Sequence, residues 1–156
     1  MQVQLTNKHY YSRGRRHAQE CYGAVLNPGP DSRELAYLRV EGSRESLIYA
    51  AVPNGPEQVV TADTYVLSPH FAANRLFWIE RQSDTWTLRW APVKNGIGKI
   101  QELPTHGRPL SLSSWPTENG ALLVWEEREG TKTRIRLAHV DSTGVKTPVD
   151  VSDGDY

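Results

Sequence analysis

Apolar positions in this chain fall in short runs punctuated by Gly, Pro, Asn and Asp, and three of the runs repeat one another. ELAYLRVEGSRESLIYAAV from Glu34, RLFWIERQSDTWTLRWAPV from Arg75 and LLVWEEREGTKTRIRLAHV from Leu122 align over nineteen residues without a gap. Tyr37, Trp78 and Trp125 coincide, as do Leu47, Leu88 and Ile135. Tyr49, Trp90 and Leu137 also match, followed by Ala50, Ala91 and Ala138 and then Val52, Val93 and Val140. The offsets are 41 and then 47 residues. The difference falls in loops, where length varies freely. A period of this size is the signature of a repeat architecture.

Each unit reads as four strands separated by turn residues. In the first they are predicted at Cys21–Leu26, Glu34–Val40, Ser46–Val52 and Glu57–Thr61. In the second they fall at Tyr65–Ala72, Arg75–Arg81, Trp86–Val93 and Lys99–Leu103. In the third they fall at Leu110–Trp115, Gly120–Arg128, Arg134–Val140 and Thr147–Val151. The second strands, LAYL, LFWI and ALLVW, are apolar at nearly every position. Such strands need cover on both faces. The third strands alternate, with Thr87 and Arg89 against Leu88 and Trp90, and Arg134 and Arg136 against Ile135 and Leu137. That pattern places them nearer a wet outer edge. No segment combines helical periodicity with caps.

The expected fold is therefore all-β: a β-propeller portion of three four-stranded blades at about 21–63, 64–107 and 108–156. A basic segment, 1–20, precedes them. Closed rings usually have four to eight blades. Three blades make half a propeller or a fragment of a six- to eight-bladed ring, to be closed by a second copy, a partner or further parent sequence. Open flanks are expected to expose Leu35, Tyr37, Leu123 and Trp125.

Composition narrows the function classes. At 156 residues and 38% apolar, the chain can build one core. Eighteen basic against eighteen acidic side chains give no overall pull toward nucleic acid or an anionic membrane. No apolar run is long enough to cross a bilayer, and the N-terminus has no hydrophobic signal region. The single Cys21 has no intrachain disulfide partner, which fits a cytoplasmic location.

Pro30-Asp31-Ser32 before Leu35-Ala36-Tyr37, and Ser68-Pro69-His70 before Leu76-Phe77-Trp78, resemble the turn-then-strand repeat of TolB-like propellers. The third unit is similar to repeats of sialidase-like propellers, in the broader company of WD-type blades. The resemblance spans roughly residues 21–151 and implies a fold, while propellers carry unrelated activities. It also implies that Val3–Thr6 supplies a closing outer strand.

Candidate chemistry is sparse. Trp78, Glu80 and Arg81 match Trp125, Glu127 and Arg128 in place. Such a set suits a polar ligand such as a sugar, through stacking and charge-assisted hydrogen bonds; equally, it forms strand-end salt bridges beside a buried indole. Trp115 before Pro116 is either an exposed binding anchor or a cover folded over the sheet. Ser83-Asp84-Thr85-Trp86 is similar to the tail of a sialidase Asp box but reads more simply as a turn. Tyr10–His17 is basic with aromatics, and His17 lies four residues before Cys21. No second Cys/His pair stands at metal-ligand spacing, and no phosphate loop or nucleophile elbow occurs. No catalytic residue, cofactor or metal is assigned. The expected function is a non-enzymatic module for protein–protein binding, with a lectin-like propeller or the propeller part of a larger hydrolase as the alternatives.

Overall fold

The computed structural model describes residues 19–28 and 32–151. Among these the chain is all-β, with three antiparallel sheets. Sheet one contains β1 (Gln19–Leu26), β2 (Glu34–Glu41), β3 (Arg44–Ala51) and β4 (Glu57–Ala62) in that order. Sheet two contains β5 (Tyr65–Ala72), β6 (Arg75–Gln82), β7 (Thr85–Pro92) and β8 (Gln101–Leu103). Sheet three has β9 (Arg108–Thr117), β10 (Gly120–Glu129), β11 (Lys132–Asp141) and β12 (Gly144–Val145), and β13 (Val149–Asp150) also pairs with β11.

Eleven of the predicted strands are present with ends moved by a few residues; the twelfth is split. In place of one strand over 147–151, the chain forms β12 and β13. Lys146 still donates its amide to His139 at 2.8 Å, but Pro148 has no N–H to extend the ladder.

The central hairpins share one register. Tyr37 faces Ile48, Trp78 faces Arg89 and Trp125 faces Arg136 across the ladder. Two residues close each turn: Gly42-Ser43, Ser83-Asp84 and Gly130-Thr131. The first of each pair has positive φ, at 65°, 53° and 59°. This fits a primed hairpin turn, whose twist matches that of the strands.

A second repeat is hidden from residue alignment. Each first strand carries a bulge, between Tyr22 and Val25, Leu67 and His70, and Ser113 and Leu110. Gly23, Ser68 and Ser111 occupy these bulges with φ of 63°, 53° and 48°. In every sheet the bulge lies across from the repeat aromatic, Tyr37, Trp78 or Trp125. The extra residue bends the strand and increases its local twist.

The sheets stack in chain order and in one orientation. The Trp78 side of sheet two packs on Ala36, Leu38, Leu47 and Tyr49 of sheet one. The Trp125 side of sheet three packs in turn on Phe77, Ile79, Leu88 and Trp90 of sheet two. β5 lies against β1, β2 and β3, and β9 lies against β5, β6 and β7. The middle sheet is thus covered on both faces, as its apolar strand β6 requires.

The expected exposure of the flanks is corrected. Leu35, Tyr37, Leu123 and Trp125 are all buried. Leu123 and Trp125 meet sheet two, while Leu35 and Tyr37 cluster with Ile48 and Ala50. The apolar surface left half-exposed is the opposite side of sheet three.

Candidate functional site

The repeated Trp and Glu come together, but inside the stack. Trp78 Nε1 donates to Glu80 Oε2 at 2.9 Å, and Trp125 Nε1 donates to Glu127 Oε1 at 3.1 Å. Residues two apart on a strand share a face, so W-x-E places carboxylate beside indole. Both carboxylates are 1% exposed. The matching arginines come from the neighbouring strand: Arg89 approaches Glu80 at 3.4 Å and Arg136 approaches Glu127 at 3.9 Å. Glu80 also accepts from Gln82 Nε2, and Glu127 from the His106 amide. The buried carboxylates are therefore well supplied with donors, as burial demands.

Sheet one exchanges the charges. Arg39 occupies the position of Glu80, and its Nη2 donates to the Tyr37 hydroxyl at 2.9 Å and to Glu57 Oε2 at 2.6 Å. The Tyr37 hydroxyl donates to Glu57 Oε1 at 2.8 Å. Burial and the adjacent carboxylate push the Tyr37 phenol well above its ordinary value. Each sheet thus satisfies its aromatic polar tip with a charged group two residues along, and the sign changes in sheet one.

Arg81 and Arg128 lie outside these buried sets. Each comes one residue after its Glu, so its side chain leaves from the opposite face. Both are exposed. Arg81 Nε donates to the Ser83 carbonyl at 2.8 Å, and its guanidinium lies 5.6 Å from the Trp86 ring centre. Trp78 and Trp125 are sandwiched between sheets and present no open ring face to a sugar. Sequence reading missed Arg89, Arg136, Arg39 and Glu57. The alignment of Arg89 with Arg136 is the available signal for two of them, but alternation in β7 and β11 reads as a wet edge when sheet stacking is unknown.

Trp115 is 71% exposed. It pairs with Leu122, which in turn pairs with His139, forming one row across β9, β10 and β11. Ser113, Val124 and Leu137 form the next row, and Leu110, Glu126 and Ile135 the third. Leu122, Val124, Ile135 and Leu137 are half-buried. Their equivalents Phe77, Leu88 and Trp90, for Val124, Ile135 and Leu137, are buried under sheet three, as Ala36, Leu47 and Tyr49 are under sheet two. The outer face of sheet three repeats a surface that is covered twice elsewhere in the molecule.

His70 Nε2 and Ser114 Oγ lie 2.7 Å apart, joining sheets two and three, and burial pushes the imidazole below its ordinary value. Ser68 Oγ accepts from the Leu112 amide at 3.1 Å, so the bulge itself ties β5 to β9. Burial raises the Cys21 thiol. His17, Tyr10–His17 and Val3–Thr6 lie outside the described residues. Among the described residues, no cluster of three or more His, Cys, Asp or Glu side chains is arranged to hold a metal. No helix among them is long and apolar enough to cross a membrane.

Comparison with protein-family models, curated proteins and solved structures gives no match.

Proposed function

We propose that the three sheets are blades of an incomplete β-propeller, and that the chain is a non-enzymatic binding module that docks through the outer face of sheet three. The propeller reading is supported by the uniform stacking direction, the common hairpin register and the bulge opposite each repeat aromatic. The TolB-like resemblance points the same way. The observation that carries the functional reading is the Trp115, Leu122, Val124, Ile135 and Leu137 surface: apolar, contiguous by register and covered in both other sheets.

A second copy of this chain is the occupant. Head-to-tail closure into a six-bladed ring needs an open sheet-one flank, but Leu35, Tyr37, Ile48 and Ala50 are already buried. The sheet-three face remains for a second copy to meet across a twofold axis. A twofold axis through the Val124 and Leu137 row sets the His139 end of one copy against the Glu126 end of the other. An isologous contact requires this exchange of unlike ends.

Sedimentation equilibrium tests the reading. The chain is expected to sediment at twice its 17.6 kDa mass, and Val124→Glu at the monomer mass, because the change places a charge in the apolar row. A folded wild-type monomer at tens of micromolar overturns the self-association. A dimer undisturbed by Val124→Glu overturns the choice of face.

A further inference from the structure

Two arginines meet on Trp86 at the end of sheets two and three where the repeat hairpins turn, and a third stands beside one of them in the ladder. The Arg108 guanidinium lies 4.0 Å from the Trp86 ring centre, and Arg81 approaches the same ring at 5.6 Å. Arg128 stands directly opposite Arg108 in the ladder. Tyr65 meets Trp86 edge-on at 6.0 Å between ring centres and remains 49% exposed. All three arginines are exposed.

Their charge is poorly balanced. Arg81 has one carboxylate, the fully exposed Asp84 at 3.4 Å. Among the described residues, Arg108 and Arg128 have no carboxylate within ion-pair distance. By contrast, Arg134 and Arg136 on the same sheet are paired with Glu129, Asp150 and Glu127. Like charges directly opposed across strands are unfavourable, and two cations on one indole add to the excess. Three guanidiniums less one carboxylate leave two positive charges, the complement of a dianion.

We propose that Arg81, Arg108 and Arg128, with Trp86 and Tyr65 beside them, bind a phosphate monoester. Guanidinium forks match the geometry of phosphate oxygens and bind them bidentately. Stacking on Trp86 holds the Arg108 plane in place before the ligand arrives, lowering the ordering cost of binding. The aromatic pair offers an apolar wall to the body of the ester. The Arg108–Arg128 pair is the row beyond Leu110, Glu126 and Ile135, at the hairpin end of the sheet, two rows from Val124.

Thermal unfolding at low ionic strength tests the site, with phenyl phosphate, a short phosphoserine peptide and benzoate as probes. Either phosphate probe is expected to raise the midpoint saturably, as a ligand of the folded state must. Response to phenyl phosphate alone assigns a small ester, response to the peptide alone assigns a phosphorylated protein, and response to both assigns the phosphate group whatever its carrier. Benzoate, with one charge, is expected to give no comparable shift. Arg108→Gln is expected to weaken the response by at least about tenfold, and Arg108→Lys by less, because lysine keeps charge but loses the fork. Arg128→Gln serves if Arg108→Gln fails to fold. No shift with either phosphate at millimolar concentration, an equal shift with benzoate, or an unchanged response in the glutamine variants overturns the proposal.

Discussion

At the scale of single residues, two neighbouring positions have opposite roles. Glu80 is buried between Trp78 and Arg89, whereas Arg81, one residue on, is exposed. Glu80→Ala leaves the Trp78 N–H and the Arg89 guanidinium facing a low-dielectric gap without their acceptor. Removing one member of a buried charged set costs about 3–5 kcal/mol; Arg89 keeps some contact with water, so the lower part of that range is expected. Arg81→Ala is expected to cost less than about 1 kcal/mol, the scale of an exposed cation–π contact or ion pair. Urea denaturation of both variants checks the contrast. Equal losses would contradict the placement of the carboxylate. The Trp and Glu of this set were legible in sequence because W-x-E recurs at fixed offset. Its arginine was not, because β-pairing brings it from another strand, while the nearest arginine in sequence points the other way.

At the scale of elements, the repeat specifies hairpins more tightly than outer strands. Pairing is identical in the three central hairpins, and each turn begins at positive φ, filled by Gly42, Ser83 or Gly130. A Cβ at Gly42 or Gly130 meets no heavy atom within 4 Å. The cost of alanine there is therefore conformational, about 1 kcal/mol. Gly42→Ala and Gly130→Ala are each expected to destabilise by that amount, and Ser83→Gly to stabilise by up to the same amount. Denaturation midpoints at unchanged slope check this; a neutral Gly130→Ala would contradict the shared turn geometry. These turns were legible from the gapless alignment. The first-strand bulges were not, because Ser68 sits nearer its aromatic in sequence than Gly23 and Ser111 sit to theirs, the residue types differ, and the three become equivalent only through pairing. The outer strands were least legible. β8 keeps three residues, and Pro148 divides the last segment.

For the whole molecule, stacking direction is the organising fact. Sheets two and three each turn the side bearing Trp78 or Trp125 toward the sheet before them in the chain. Sheets one and two each turn their plainly apolar side toward the sheet after them. That rule leaves the far side of sheet three half-exposed, with Trp115 on it. The three-unit count and all-β class were readable from periodicity alone. Which flank stays open was not, since Leu123 and Val124 are equally apolar and only the packing decides which one meets sheet two. Site-specific cross-linking tests the proposed docking face most directly. In a Cys21→Ser background, Ser113→Cys places one thiol in the Val124 and Leu137 row, and Asp84→Cys places one on a remote exposed turn. With a short bismaleimide, Ser113→Cys is expected to give a covalent pair of chains in high yield and Asp84→Cys to remain single. Failure of Ser113→Cys to link, or equal linking at Asp84→Cys, would contradict the account.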